Sequence, residues 1–438
     1  MEWWQTLLII LVGLLGLMLM RVPVAFAFIT VNIVAAFFLW GGSHGESLLI
    51  KSIEDSLTTF ALAPIPFFIL MGEVMFHTGI APRMIETIDR WFGRIPGRLS
   101  LLSIGAGTIL STLTGSTMAS TAMLGSTLVP EMERRNYGRP MSIGPILGAG
   151  GLAVLIPPSS LGVLLASMGQ ISIGSFMVAI LIPGILLALI MAAYIILRAK
   201  LQPHLAPAYQ TESHTLQEKL KATAIYILPL GFIVFLVLGL MFLGVATPTE
   251  AAAMGAVGSM ILALFYKQLN WKTIMLSMTG TMKISVMILM IVAGSNAFGQ
   301  ILSFSGATRN LVKLVTEIHL APIIILIAML VLVIIMGTFM ESLSILMIVL
   351  PIFMPIIHTL HFDPLWFATM LLITIELGTI SPPFGTGLFV MKAVAPKGTT
   401  MKQLYAATIP FILLDLLLVV IVMVFPDLAT WLPSFMKQ

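Results

Sequence analysis

Interruptions of apolar helices occur twice in this chain, and that duplication limits its fold more than any other feature. GSTMASTAMLGSTLVPEM, starting at Gly115, returns as GTFMESLSILMIVLPIFM from Gly337, and LIPPSSLGVL around Pro157 returns as ISPPFGTGLF around Pro382. The first motif places small and hydroxyl residues at mid-membrane depth; the second places a Pro pair with Gly or Ser inside an apolar helix. Helices broken inside a bilayer are tolerated only where the freed backbone lines a cavity or is buried in protein. A matched pair of such breaks points to the binding site of a secondary transporter.

Composition fixes the medium. Hydrophobic residues make up 59% of the chain and charged residues 9%, with a mean hydropathy of +1.08. Soluble domains carry roughly a quarter charged residues, so the chain is a polytopic membrane protein in contact with the lipid bilayer. Cysteine is absent, which excludes a disulfide framework, a thiolate metal site and a cysteine nucleophile. The start, MEWWQTLLIILVGLLGLMLMRVPV, has an acidic residue and two Trp before its apolar run and no small-residue cleavage site, so it reads as a retained helix rather than a signal peptide. The formal charge is +4, but the basic residues are scattered through short loops, and no nucleic-acid surface is expected.

Apolar segments of spanning length, roughly 17 to 25 residues, lie at about 5–20, 22–40, 62–79, 142–167, 175–197, 224–244, 247–266, 279–302, 364–391 and 404–425. Two stretches, 100–131 and 321–357, are too polar at their centres for plain spans and too short for two full ones; each is read as a re-entrant helical hairpin. Placing the N-terminus outside puts 17 of the 22 Lys and Arg residues on the cytoplasmic side, as the positive-inside rule requires. Lys283 falls in the first turns of a span, from which it can snorkel to the interface. Both termini are then periplasmic.

Four landmarks support one duplication. Pro23 and Pro248 are 225 positions apart, Gly79 and Gly306 are 227, Gly115 and Gly337 are 222, and Pro157 and Pro382 are 225. The first copy starts outside and the second inside, so the repeats are inverted. The predicted fold is an all-α polytopic membrane protein of two inverted repeats, each with a re-entrant hairpin and a Pro-broken helix. Repeat 1 covers residues 1–197, with a scaffold over 1–98 and a transport part containing the hairpin over 99–197. A polar cytoplasmic linker follows at 198–222. Repeat 2 covers 223–438, with a scaffold over 223–306 and a transport part over 307–425.

TPTEAAA at Thr247, the hairpin ending in PEM at Met132, IPPSS at Ile156, and SPPFG followed by LFVMKAVAP resemble the large membrane subunit (DctM-type, M subunit) of tripartite ATP-independent periplasmic (TRAP) transporters. The resemblance runs along essentially the whole chain. It implies an elevator carrier of the bacterial inner membrane, importing a small organic acid with sodium as the coupling ion. It also implies two partners: a periplasmic substrate-binding P subunit and a small four-helix Q subunit, here expected as a separate chain. The rival reading is a stand-alone sodium/dicarboxylate symporter of the same superfamily.

Sodium is a hard cation that favours oxygen ligands, which unwound carbonyls and hydroxyls supply without burying a formal charge. One expected sodium site per repeat, two in all, draws on hairpin tip and helix break. Its candidate ligands, mostly backbone carbonyls, are Gly115, Ser116, Pro157, Gly337, Thr338, Met340, Thr379 and Pro382. Half-helix N-termini suit a substrate carboxylate. The candidate substrate-binding residues are Ser116, Thr117, Ser120, Ser159, Ser160, Glu341, Ser342, Gly385 and Thr386. No cofactor beyond the coupling ions is expected.

Intramembrane carboxylates are rare and expensive. Glu250 in T-P-T-E reads as a capping box with Pro at the first helical position. Glu73 and Asp415 read as helix–helix or subunit contacts. Glu341 and Glu376 fall near the midplane, opposite Ala119 and Gly151 in the first repeat. They are read either as selectivity or proton-coupling groups or as hydrogen-bonding partners of a broken helix end. The chain has no HExxH and no GxSG serine with a histidine on a neighbouring span, so it is not expected to be an enzyme. Two opposite-facing hairpins also argue against a channel, which needs a filter or charged rings.

Overall fold

The computed structural model describes residues 2–40, 42–93, 95–114, 116–207, 215–317 and 320–436. Every regular element among them is a helix. The first two spans, Trp3–Leu19 and Val24–Leu39, meet at a turn where Arg21 takes φ +66° and Pro23 caps the second helix. Helices Pro64–His77, Leu181–Leu201, Leu228–Phe242, Pro248–Phe265, Trp271–Phe304 and Met401–Val424 supply the other unbroken spans. Thr247 and Glu250 form the capping box read from the sequence. The Glu250 carboxylate accepts the Thr247 N–H at 2.8 Å, and the Thr247 hydroxyl accepts the Glu250 N–H at 3.3 Å.

Three elements differ from expectation. Helix Trp271–Phe304 has 34 residues and begins eight before the expected start, because the Asn270 side chain accepts the Thr273 N–H at 2.9 Å and caps a polar first turn. At about 1.5 Å per residue it is about 51 Å long, well beyond the ~30 Å hydrocarbon layer. Lys283 therefore sits in its fourth turn, exposed, rather than in its first. The charged segment Ser43–Leu57, with Glu46, Lys51, Glu54 and Asp55, is also helical and packs on Val24–Leu39 and Trp271–Phe304. Leu216–Tyr226 precedes Leu228–Phe242 with a bend of 46°, so the expected span from 224 is two helices. Two short amphipathic helices, Ala81–Asp89 and Ala307–Glu317, precede the hairpins.

Both hairpins form. The first pairs Arg98–Thr114 with Thr117–Arg134, and the second pairs Pro322–Gly337 with Ser342–Thr359. Both broken helices form too. Arg139–Leu155 and Ser160–Met168 diverge by 47° across Ile156–Ser159, and Pro364–Thr379 is separated from Thr386–Val394 by residues 380–385. The Pro157–Pro158 and Pro382–Pro383 peptides are both cis.

Packing between the repeats is reciprocal. Val24–Leu39 packs on Trp271–Phe304, and the equivalent helices Pro248–Phe265 and Pro64–His77 pack on each other. The inner arm Thr117–Arg134 meets Thr386–Val394, while the inner arm Ser342–Thr359 meets Ser160–Met168. Each contact maps onto its mate when the repeats are exchanged, which is the signature of a pseudo-two-fold axis in the membrane plane.

The hairpins also correct one register. Their inner arms begin at Thr117 and Ser342, 225 positions apart, and the turn of the second tip is longer. The described outer arms end at Thr114 and Gly337, 223 positions apart, so the 222 offset taken from Gly115 and Gly337 does not carry over to the inner arms. Glu341 stands opposite Ser116, not Ala119, and both residues are N-caps of their inner arms.

Small residues let these helices approach closely, as is usual in membranes. A Cβ on Gly337 would lie 2.5 Å from the Cα of Gly378, so the second hairpin rests directly on the second broken helix. Between Val24–Leu39 and Trp271–Phe304, Phe28 covers Gly294 and meets the Phe298 ring edge-on at 5.6 Å. Outward-facing residues such as Val12, Phe235 and Leu413 are exposed. They form the apolar surface that lipid covers.

Candidate functional site

The two hairpin tips and the two helix breaks converge on one cavity of about 330 Å³. One wall comprises Ile69, Glu73 and Phe76 on Pro64–His77, with Ile284 and Met287 on Trp271–Phe304. The other wall holds both tips, through Ser116, Thr117, Glu341 and Ser342, and both breaks, through Ser160, Thr379 and Thr386. Its size matches the lower end of small-molecule pockets.

The base of the cavity is fastened by a single carboxylate. Thr117 Oγ1 donates to Glu376 Oε2 at 2.5 Å, and Ser342 Oγ donates to Glu376 Oε1 at 3.2 Å. Thr117 and Ser342 are the first residues of the two inner arms. Glu376 is buried near the end of Pro364–Thr379. A Cβ on its repeat mate, Gly151, would lie 4.0 Å from the Glu376 Cβ, so the mates face each other across the pseudo-axis.

Seven of the candidate sodium- and substrate-binding residues read from the sequence line this cavity: Ser116, Thr117, Ser160, Glu341, Ser342, Thr379 and Thr386. The others lie around it. Ser120 is fully buried, and its hydroxyl, like that of Thr121, has no hydrogen-bond partner among the described residues. Ser159 is buried as the N-cap of Ser160–Met168, its Oγ accepting the Gly162 N–H at 3.1 Å. Thr338 donates to the Ile335 carbonyl at 2.7 Å, and the Met340 N–H bonds the Met336 carbonyl at 2.9 Å. Gly337 is held against Gly378. Pro157 and Pro382 sit inside their breaks, Pro157 buried and Pro382 partly exposed. Gly115 lies outside the described residues.

At the second break, a Cβ on Gly385 would fall 2.4 Å from the Thr379 carbonyl oxygen and 2.7 Å from that of Ser381. Those two carbonyls therefore converge on a cradle that only glycine leaves open. The orphaned hydroxyls of Ser120 and Thr121 near the first tip, and these carbonyls at the second break, are hard oxygen donors suited to sodium. Ser160–Met168 and Thr386–Val394 begin at the cavity wall, and the first N–H groups of a helix lack intrahelical partners, which suits an anion there.

Glu376 was legible as an intramembrane acid, but not as the tie between the hairpins. The wall formed by Pro64–His77 and Trp271–Phe304 was not anticipated as part of the site at all. Glu73 does make the helix contact read from the sequence: a Cβ on Gly280 would fall 2.2 Å from Glu73 Oε2, and His77 Nε2 lies 3.2 Å from the same oxygen. It also faces the cavity. A glycine inside an apolar span, such as Gly280, was the available signal.

Residues 11–428 match the family model described as "Tripartite ATP-independent periplasmic transporter, DctM component". The chain belongs to the DctM family. This DctM-family chain is 33% identical over 396 residues to the C4-dicarboxylate TRAP transporter large permease protein DctM of Pseudomonas aeruginosa, covering 89% of this chain and 90% of that one. It is 29% identical over 371 residues to the isethionate TRAP transporter permease protein DctMQ of Oleidesulfovibrio alaskensis, covering 84% of this chain and 57% of that longer protein. Its fold is similar to the crystal structure of the Alcanivorax borkumensis YdaH transporter, with a TM-score of 0.64 at 15% identity, covering 88% of this chain and 90% of that one. The protein is thus a multi-pass membrane component of a tripartite transporter.

Proposed function

We propose that this chain is the permease of a sodium-coupled secondary transporter that imports a small organic acid handed over by a periplasmic binding protein. The observation that carries this reading is the single cavity fastened by Glu376, where both hairpin tips and both breaks meet a scaffold wall. Two sodium ions bind near the tips. The first uses the surroundings of Ser116, Ser120 and Thr121, and the second the carbonyls gathered around Gly385. The half-helix N-termini at Ser160 and Thr386 receive the cargo carboxylate.

The moving part comprises residues 99–197 and 307–425, and the scaffold comprises 1–98 and 223–306. Rigid-body movement of one against the other exposes the same site to either side. The distribution of basic residues supports periplasmic N- and C-termini for a protein of the bacterial inner membrane. A small Q-type membrane subunit completes the complex; the related DctMQ permease protein supports this partner by its name.

The test is uptake into vesicles containing this chain with its small membrane subunit, the binding protein supplied outside. Uptake is expected to require an inward sodium gradient and the binding protein, and no ATP. Uptake without binding protein would favour a stand-alone symporter. Uptake on a proton gradient in sodium-free buffer would overturn the sodium assignment.

A further inference from the structure

The cavity has the wrong sign for its cargo. Among the described residues its ionisable lining consists of Glu73, Glu341 and Glu376, with no Lys, Arg or His. While those carboxylates are ionised, like charge opposes the entry of an organic anion, and a cation that enters first removes that opposition.

Glu376 is where that cation fits. Its side chain is more than nine-tenths buried, and its recorded partners are two neutral hydroxyls. A carboxylate buried at membrane depth is costly unless it is protonated or paired with a cation, and the hydroxyl oxygens beside this one can serve a cation. Hydroxyls can reverse role: each carries one donor hydrogen and two acceptor lone pairs. Thr117 and Ser342 donate to the carboxylate in this structure, and by turning their hydrogens away they become ligands to an ion held between them. One carboxylate with two hydroxyls is a hard oxygen set of single negative charge, suited to a monovalent cation. Divalent sites recruit several carboxylates, and no group of three or more His, Cys, Asp or Glu residues capable of holding a metal occurs among the described residues.

We propose that Glu376, Thr117 and Ser342 form a third cation site on the pseudo-two-fold axis, and that sodium bound there makes the cavity receptive to an anionic cargo. This site differs from the two tip-and-break sites in kind. It draws one hydroxyl from each repeat, and its carboxylate has only Gly151 as a counterpart. Because it joins both hairpins, the ion also clamps the two tips together while the cargo is held.

The inference rests on the sodium-coupled reading given above, and its test separates the two. Radioactive sodium binding is counted per molecule on the purified complex of this chain with its small subunit, alongside cargo binding at graded sodium. Glu376→Gln is expected to bind one sodium fewer than the parent, to take up cargo with a sodium Hill coefficient lower by about one, and to bind cargo at sodium levels where the parent does not. The pair Thr117→Ala/Ser342→Ala keeps the carboxylate; it is expected to retain the full count with sodium affinity weakened by about tenfold or more, as loss of groups supporting a metal site does. A full sodium count and unchanged Hill coefficient in Glu376→Gln would overturn the third site while leaving sodium coupling intact. If Glu376→Gln fails to assemble, unchanged sodium affinity in the hydroxyl pair overturns it equally. A parent protein that binds no sodium would remove both this site and the sodium-coupled reading.

Discussion

Thr117 and Ser342 stand 225 positions apart, and both donate a hydrogen bond to the carboxylate of Glu376. They belong to hairpins inserted from opposite faces of the membrane, so withdrawing either tip breaks a bond to the same buried group. Removing one donor leaves a buried acceptor short of a partner, which costs about 1–3 kcal/mol. Thr117→Val is therefore expected to lower the thermal stability of the detergent-solubilised protein more than Ser342→Ala, because its bond is the shorter one. Negligible shifts for both variants in scanning fluorimetry would show that the tie has no energetic weight.

Gly337 and Gly378 touch backbone to backbone, and a methyl group on either would overlap the other at 2.5–2.7 Å. Overpacking of this kind costs about 1–3 kcal/mol. Gly378→Ala is expected to reduce thermal stability and uptake together. Gly231→Ala is the control, since nothing lies within 4 Å of the added carbon. If both variants behave like the parent, the hairpin does not rest on the broken helix as described.

Neighbouring serines at the first break should separate by role. Ser159 caps a half-helix, and loss of a cap costs about 1 kcal/mol; Ser159→Ala is expected to lower stability. Ser160 lines the cavity, so Ser160→Ala is expected to raise the cargo KM with little change in unfolding temperature. A reversed pattern in paired uptake and melting curves would exchange their assignments.

Much of this site was legible in the sequence because Pro pairs and Gly–Ser clusters have one physical meaning inside an apolar run: the helix stops there. Both breaks and both hairpins followed, and so did the Thr247–Glu250 cap. The helix Ser43–Leu57 did not, since its charges remove it from any search for spans and its partners lie on Val24–Leu39 and the distant Trp271–Phe304. The register of the second tip was hidden by its longer turn, which moved the mate of Glu341 from Ala119 to Ser116. Glu376 could be suspected from its depth alone. Its partners come from both repeats, and no local pattern announces such a meeting.

The absence of native cysteine makes topology directly measurable. A cysteine at Gln210, in the linker and outside the described residues, is expected to react with an impermeant maleimide only from the cytoplasm. One at Ser434 is expected to react only from the periplasm. Opposite labelling would invert the assignment of both hairpins.

Movement of the whole transport part against the scaffold is the central claim, and Leu161 and Ile284 test it most directly because they line opposite walls of one cavity. The pair Leu161→Cys/Ile284→Cys, joined by a reducible bifunctional methanethiosulfonate, fixes one wall to the other. The elevator account predicts that cross-linked protein in vesicles stops transporting and recovers on reduction, while each single cysteine variant stays active. Continued turnover by fully cross-linked protein would contradict it.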